Sequence, residues 1–318
     1  MIFLNVFLLI LGMFLMIKGA DFFVEGASNI AKALKIPTLI IGLTLVSIGT
    51  SAPELSVSIQ SSLAGDTDLS FGNVIGSNIF NVCVVIGASA LMTPLVVSKD
   101  VERYDIPILL GIYGLLVVLA FVISPLQLQL CEGILIFSLF IIYTIYLIFR
   151  AKNNPTEEEN DDEEEKKKPW WLNVILVALG LAGIIFGGDF VVDGASEIAI
   201  FLGMDPILVG LTIVAVGTSL PELVTSVVAA KKGENDIAVG NAIGSCLFNI
   251  VLILGVASMI TPVPLELVYL VDVAVMILSV VLVFIFAFKS FKVNKWQGIL
   301  LIAVYVGYLV YIIIRQYM

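Results

Sequence analysis

Apolar residues run along this chain in long unbroken blocks, not at the alternating spacing of half-buried strands. A helix needs about 20 such residues to cross a bilayer core. Ten blocks qualify: roughly 2–20, 37–64, 69–93, 104–123, 127–149, 170–188, 206–230, 236–261, 266–288 and 295–315. The first and sixth continue as amphipathic helix to about 34 and 202. One polar stretch differs from the short breaks between blocks. Residues 153–168 read NNPTEEENDDEEEKKK, with eight acidic residues and three lysines. Such a run reads as a solvated linker, with weak cation binding as the lesser reading. The pattern therefore predicts an all-α integral membrane protein: ten transmembrane helices, with 1–150 as one half, 151–169 as the linker and 170–318 as the other half.

Composition sharpens this. Of 318 residues 60% are apolar and only 13% charged, and the mean hydropathy is +1.11. A soluble domain carries about a quarter charged residues. A soluble enzyme, a disordered protein and a secreted disulfide scaffold are excluded. The formal charge of −10 argues against nucleic acid as a partner. There is no histidine, so imidazole bases, imidazole proton relays and histidine zinc sites are absent. Cys83, Cys131 and Cys246 lie in apolar stretches without CxxC spacing and read as packing residues.

Basic residues predict the orientation. The connections after odd-numbered spans hold 14 of the 16: Lys32, Lys35, Lys99, Arg103, Arg150, Lys152, Lys166, Lys167, Lys168, Lys231, Lys232, Lys289, Lys292 and Lys295. Connections after even-numbered spans hold none. The expectation is a multi-pass plasma (inner) membrane protein with both termini outside and the acidic linker cytoplasmic. No basic residue precedes the first apolar block, so a cleaved signal peptide is not expected.

The chain also repeats itself. Residues 42–95 align without gaps to 210–263, with 23 of 54 positions identical. GTSAPEL at 49–55 answers GTSLPEL at 217–223, and GNVIGSNIFN at 72–81 answers GNAIGSCLFN at 240–249. The same offset aligns GADFFVEGAS at 19–28 with GGDFVVDGAS at 187–196. Each repeat begins a five-span half. Five is odd, so the two halves cross in opposite senses. Two inverted five-helix repeats are a transporter architecture, with the site near the midplane between them.

The repeated segments carry their polar residues at mid-span. Glu54 and Glu222 lie deepest, and a charge at a helix centre costs roughly 2.5–3.5 kcal/mol. No Lys or Arg in these spans stands near them, so either the carboxyls are protonated or a cation sits between them. The neighbours favour the cation. Ser47, Thr50, Ser51 and Glu54 share one helix face, and the second half offers Thr218, Ser219 and Glu222, with Ala215 in place of Ser47. Pro53 and Pro221 remove the donors for the carbonyls of Gly49 and Gly217. Asn73, Ser77, Asn81 and Asn241, Ser245, Asn249 repeat at i, i+4, i+8. This all-oxygen and amide set suits a hard cation, Ca²⁺ or Na⁺, and disfavours zinc, copper and iron. A single Ser or Thr in a membrane helix is ordinarily packing glue, and Asn73 and Asn241 read more readily as structural. Asp21, Glu25, Asp189 and Asp193, nearer a membrane face, read as interface residues before they read as a cation funnel.

On these motifs the chain resembles the calcium/cation antiporter superfamily, and within it the prokaryotic sodium/calcium exchangers, over essentially its whole length. The resemblance implies that spans one and six pack as long tilted helices across a core of spans two, three, seven and eight. It implies that Glu54 and Glu222 ligate Ca²⁺ with the Thr50 and Thr218 carbonyls. It further implies Na⁺ sites using Ser51, Ser219, Ser77, Ser245 and the carbonyls of Ser47 and Ala215, with Asn81 and Asn249 lining the centre. Several branches have an acidic residue in place of Asn81 or Asn249. Here both are Asn, so the empty site carries a formal −2, matched by one Ca²⁺ or two Na⁺, and K⁺ dependence becomes doubtful.

The expected activity is Na⁺/Ca²⁺ antiport by alternating access, with the ions as substrates and no cofactor. The bilayer is the only other expected partner. H⁺/Ca²⁺ or K⁺-dependent Na⁺/Ca²⁺ exchange on the same fold is the alternative. A channel has no ring-like filter to support it. An intramembrane protease would need a Ser–His pair or paired midplane Asp, so an enzyme is not expected.

Overall fold

The computed structural model describes residues 2–65, 67–123, 126–153, 169–204, 213 and 215–316. Among them, eight helices are long and apolar enough to cross a membrane: α1 (Ile2–Leu34), α4 (Leu69–Met92), α5 (Val101–Ile123), α6 (Leu130–Asn153), α7 (Trp170–Phe201), α9 (Asn235–Ile260), α10 (Tyr269–Phe288) and α11 (Lys295–Arg315). A bent pair, α2 (Thr38–Thr50) and α3 (Ala52–Ala64), breaks by 48° and makes a ninth if counted as one span. The seventh expected span is described from Ala215 onward, as a short turn Ala215–Gly217 and α8 (Leu220–Lys231). The acidic run from 154 to 168 lies outside the described residues.

The long helices α1 and α7 form the longest interface. Glycine recurs every seventh residue on both: Gly12, Gly19 and Gly26 on α1, Gly180, Gly187 and Gly194 on α7. Gly12 faces the carbonyl of Gly187, Gly19 that of Gly180, and Gly26 that of Asn173. Partner numbers fall as α1 numbers rise, so these two helices run antiparallel. Without side chains at the contacts, the backbones approach closely, which is how helices associate where water supplies no driving force.

Two spans occupy the middle. The apolar windows of α4 and α9 are each 78% buried, against 17% for α1 and α11. The peripheral helices turn large apolar side chains outward, among them Phe7 and Phe14 on α1, Ile142 and Phe149 on α6 and Trp296 on α11. That pattern suits an apolar surrounding, not water.

Contacts between the halves recur in pairs. Gly87 meets the carbonyl of Gly298, and Gly133 meets that of Gly255. A ribbon of β1 (Leu95–Val96) and β4 (Lys292–Val293) has its counterpart in β2 (Gln127–Leu128) and β3 (Val263–Pro264). Both Gly65, after α3, and Gly233, after α8, adopt positive φ, at 80° and 82°, a conformation that ends a helix at little cost only for glycine.

Two sequence expectations change. Arg150 does not lie in a connection. It sits within α6, 8% exposed, and its guanidinium donates to both oxygens of Asp105 at 2.8 and 3.0 Å. The helix runs past the apolar block to Asn153 and so carries Arg150 to the fully buried Asp105. Arg315 and Asp272 form the matching pair at 2.9 Å. Likewise Cys131 is exposed in the first turn of α6, while Cys83 and Cys246 are buried.

Candidate cation-binding site

The break in the second span creates the site. Ser51 leaves helical geometry with φ −82° and ψ 10°, and Ser219 does the same with φ −94° and ψ 4°. A new helix starts after each. Pro53 and Pro221 fall in its first turn, where no backbone donor is required. Glu54 and Glu222 occupy the same first turns. Each carboxylate therefore stands at the positive end of a half-helix, an arrangement that stabilises an anion by about 0.3–1 kcal/mol and by up to ~2 when partly buried.

That does not offset the burial of a whole charge. Both glutamates are 0% exposed. Ser219 donates its hydroxyl to Oε1 of Glu54 at 3.0 Å, and Ser51 donates to Oε1 of Glu222 at 2.8 Å. Ser245 adds a long contact to the same Glu222 oxygen at 3.5 Å. The second oxygen, Oε2, of each glutamate is buried and has no donor. No lysine or arginine among the described residues pairs with either. Two unsatisfied, inward-held carboxylate oxygens are what a cation would occupy.

Hydroxyls and amides surround the two acids. Ser77 and Ser219 share a hydrogen bond at 3.0 Å. Thr50 donates to Oδ1 of Asn241 at 3.0 Å. Asn241 in turn donates to the Glu222 carbonyl at 3.3 Å and to Ser226 at 2.9 Å. Asn73 repeats this in the first half, donating to the Glu54 carbonyl at 3.3 Å and to Ser58 at 3.1 Å. These two asparagines brace the backbone that carries each glutamate, in keeping with their reading as structural residues.

Asn81 and Asn249 each open a wide π-helical turn in a central span, Asn81–Val85 and Asn249–Leu254. Such turns frequently mark functional positions because they displace a side chain from the regular helical register. Both residues are 0% exposed. Neither polar atom of Asn81 has a partner, nor does Oδ1 of Asn249.

The expected residues thus gather unevenly. They fall into two hydrogen-bonded groups: Glu54 with Ser219 and Ser77, and Glu222 with Ser51, Ser245 and, through Asn241, Thr50. Ser47 is buried beside Gly244, but its carbonyl already accepts from the Ser51 amide at 3.0 Å. Thr218 is half-buried at the break. For Ala215 only the backbone turn is described. Sequence reasoning missed Asn78. It is 0% exposed and donates to the carbonyl of Cys246, its own counterpart in the other repeat. Its signal was a polar residue inside the G-N-x-x-G-S-x-x-x-N motif where the other half has Cys.

The peripheral acids are differently placed. Asp21 pairs with Lys232, whose Nζ lies 3.5 Å from its carboxylate and donates to its carbonyl at 2.8 Å. Ser28 donates to Glu234 at 2.6 Å. A cavity of about 230 Å³ opens here, bounded by Glu25, Ser28, Asn29, Lys32, Lys232 and Glu234. Asp189 and Asp193 are exposed on α7. Among the described residues no cluster of three or more acidic or thiol side chains could hold a metal, so any cation between the glutamates also needs neutral oxygens.

Comparison with known proteins shows the family and the fold. Residues 4–149 and 172–314 match the family described as sodium/calcium exchanger protein. The putative antiporter CaxA of Alkalimonas amylolytica is 36% identical over 293 residues, covering 89% of this chain and 90% of that protein. The sodium/calcium exchanger MaX1 of Methanosarcina acetivorans is 34% identical over 347 residues, covering 98% of this chain and 99% of that protein. A solved structure of the sodium-calcium exchanger NCX_Mj, soaked with 10 mM Na⁺ and 10 mM Sr²⁺, superposes with a TM-score of 0.83. It is 35% identical, with 96% of this chain and 97% of that chain covered.

Proposed function

The chain belongs to the sodium/calcium exchanger protein family, a family of multi-pass membrane transporters and not of enzymes, and from that premise we propose that it exchanges Na⁺ for Ca²⁺ by alternating access at the site between Glu54 and Glu222. The observation that carries this reading is the pair of buried, donor-less Oε2 atoms at equivalent positions of the two repeats. Two carboxylates balance one Ca²⁺ or two Na⁺. Thr50, Thr218, Ser51, Ser219, Ser77, Ser245, Asn81, Asn249, Ser47 and Ala215 supply the neutral oxygens around them, from side chains or carbonyls.

Competition for shared oxygens makes the exchange obligatory. An ion of one kind excludes the other. Closing around the empty site would desolvate two bare carboxylates, which costs far more than closing around a neutralised pair. Only loaded forms cross readily, and leak is suppressed.

The chain spans the membrane ten times in this reading, in two inverted halves of five. The antiparallel α1–α7 pair and the recurring contacts across the halves support that. Both termini lie outside and the acidic linker faces the cytoplasm of the plasma (inner) membrane, supported by the lysine and arginine asymmetry.

The test is ⁴⁵Ca²⁺ uptake into proteoliposomes, with Na⁺, K⁺ and H⁺ gradients imposed separately. An outward Na⁺ gradient alone should drive uptake, and Glu54→Gln or Glu222→Gln should abolish it. Uptake driven by a pH gradient without Na⁺ would replace Na⁺ by H⁺ as the counter-ion. Undiminished uptake in both variants would remove the glutamates from the mechanism.

A further inference from the structure

The amide of Asn249 has its direction set by a neighbouring side chain. An asparagine amide has two ends of nearly equal shape and opposite polarity, so its orientation must be argued from its partners. Nδ2 of Asn78 lies 3.3 Å from the carbonyl oxygen of Cys246 and 3.7 Å from the thioether sulfur of Met276. Both of those atoms accept only. The NH₂ end of Asn78 must therefore face them, and its Oδ1 must face the opposite way. There it meets Nδ2 of Asn249 at 3.0 Å. An oxygen acceptor selects the NH₂ end of Asn249. The Oδ1 of Asn249 is thus turned away from Asn78, and it is a buried acceptor with no donor.

The other half lacks this device. The residue at the position of Asn78 is Cys246, whose thiol donates to the Asn78 carbonyl at 3.7 Å. Asn81, the counterpart of Asn249, has no partner at either end. One central amide is locked with its oxygen free, and the other is held by no hydrogen bond.

We infer that Asn78 is a positioning residue for cation binding: without touching the ion, it fixes the Asn249 amide so that Oδ1 is the ligand atom, which makes the pseudo-symmetric site asymmetric. This rests on the proposed site between the glutamates. Pre-orientation removes the cost of turning the amide when the ion arrives. The gain belongs to Asn249 alone, so the two central asparagines contribute unequally.

Equilibrium binding of ⁴⁵Ca²⁺ to the purified full-length protein in detergent tests this without requiring transport. Asn78→Ala should raise the half-saturating Ca²⁺ concentration about threefold to tenfold, the worth of one neutral hydrogen bond. The loss should vanish in an Asn249→Ala background, yet remain in full in an Asn81→Ala background. A general packing defect would lower affinity equally in both. Should Asn78→Ala not fold, as judged by its ion-free melting curve, Asn78→Cys installs the side chain the other half carries here and should show the same pattern. Unchanged affinity, or equal losses in the two backgrounds, would overturn the assignment. Glu54→Gln and Glu222→Gln serve as the separate control. If they leave ⁴⁵Ca²⁺ binding intact, the site reading itself fails. If they abolish it, a negative result at Asn78 refutes only the positioning role.

Discussion

Ser51 stands three residues before Glu54, yet its hydroxyl donates to Glu222, 171 residues away, at 2.8 Å. Ser219 makes the mirror bond to Glu54 at 3.0 Å. Each half of the molecule positions the acid of the other, so neither half can form the site alone.

This exchange of partners predicts an inverted coupling pattern. A hydrogen bond to a charged group is worth about 1.5–3 kcal/mol, so Ser51→Ala should weaken Ca²⁺ binding roughly tenfold or more. In double-mutant cycles Ser51→Ala should couple strongly to Glu222→Gln and add independently to Glu54→Gln. Ion-free denaturation midpoints of the four proteins of each cycle decide it, and coupling to the sequence neighbour instead would contradict the swap.

Adjacent glycines on α7 should respond oppositely to the same methyl group. A Cβ at Gly187 would fall 2.7 Å from the carbonyl of Gly12, whereas nothing lies within 4 Å at Gly188. Gly187→Ala should therefore lower the melting temperature by several degrees and depress exchange, because backbone cannot move aside as a side chain can. Gly188→Ala should leave both unchanged. Thermal melting in detergent together with vesicle flux gives the comparison.

The buried ion pairs should differ in proportion to their burial. Asp105 and Arg150 have side chains 0% and 6% exposed, against 7% and 26% for Asp272 and Arg315. Arg150→Ala leaves a buried carboxylate unpaired, at a cost of about 3–5 kcal/mol. Arg315→Ala should lose distinctly less. Removing both charges with Asp105→Asn and Arg150→Met should recover part of the loss, measured as denaturation midpoints of the purified variants.

Asn241 ties the two halves together. It donates to the Glu222 carbonyl of its own half at 3.3 Å and accepts from the Thr50 hydroxyl of the other at 3.0 Å. Asn241→Ala should reduce Ca²⁺ affinity, and the loss should shrink in a Thr50→Val background. Equal losses in the two backgrounds would argue that the Thr50 contact carries no energy.

Much of this protein is local and hence readable along the chain. A long apolar block must be a helix in lipid, because an unpaired backbone group has no water to turn to. That constraint alone marked the spans, and α1, α7 and the central spans end within a few residues of where the blocks predict. Glu54 and Glu222 were visible as candidates in the same way, since an acid in mid-span is too costly to be incidental. So was the repeat, being a property of one string compared with itself. What the string cannot show is which residue meets which across 45 positions in one case and 171 in others. Ser51 with Glu222, Asn78 with Asn249, Gly12 with Gly187 and Arg150 with Asp105 are pairings of helix faces, chosen when whole helices pack. Local propensity says nothing of them. The amide direction of Asn249 lies furthest from the sequence, since it depends on a backbone carbonyl of its own helix and a sulfur on α10, acting through a side chain of α4.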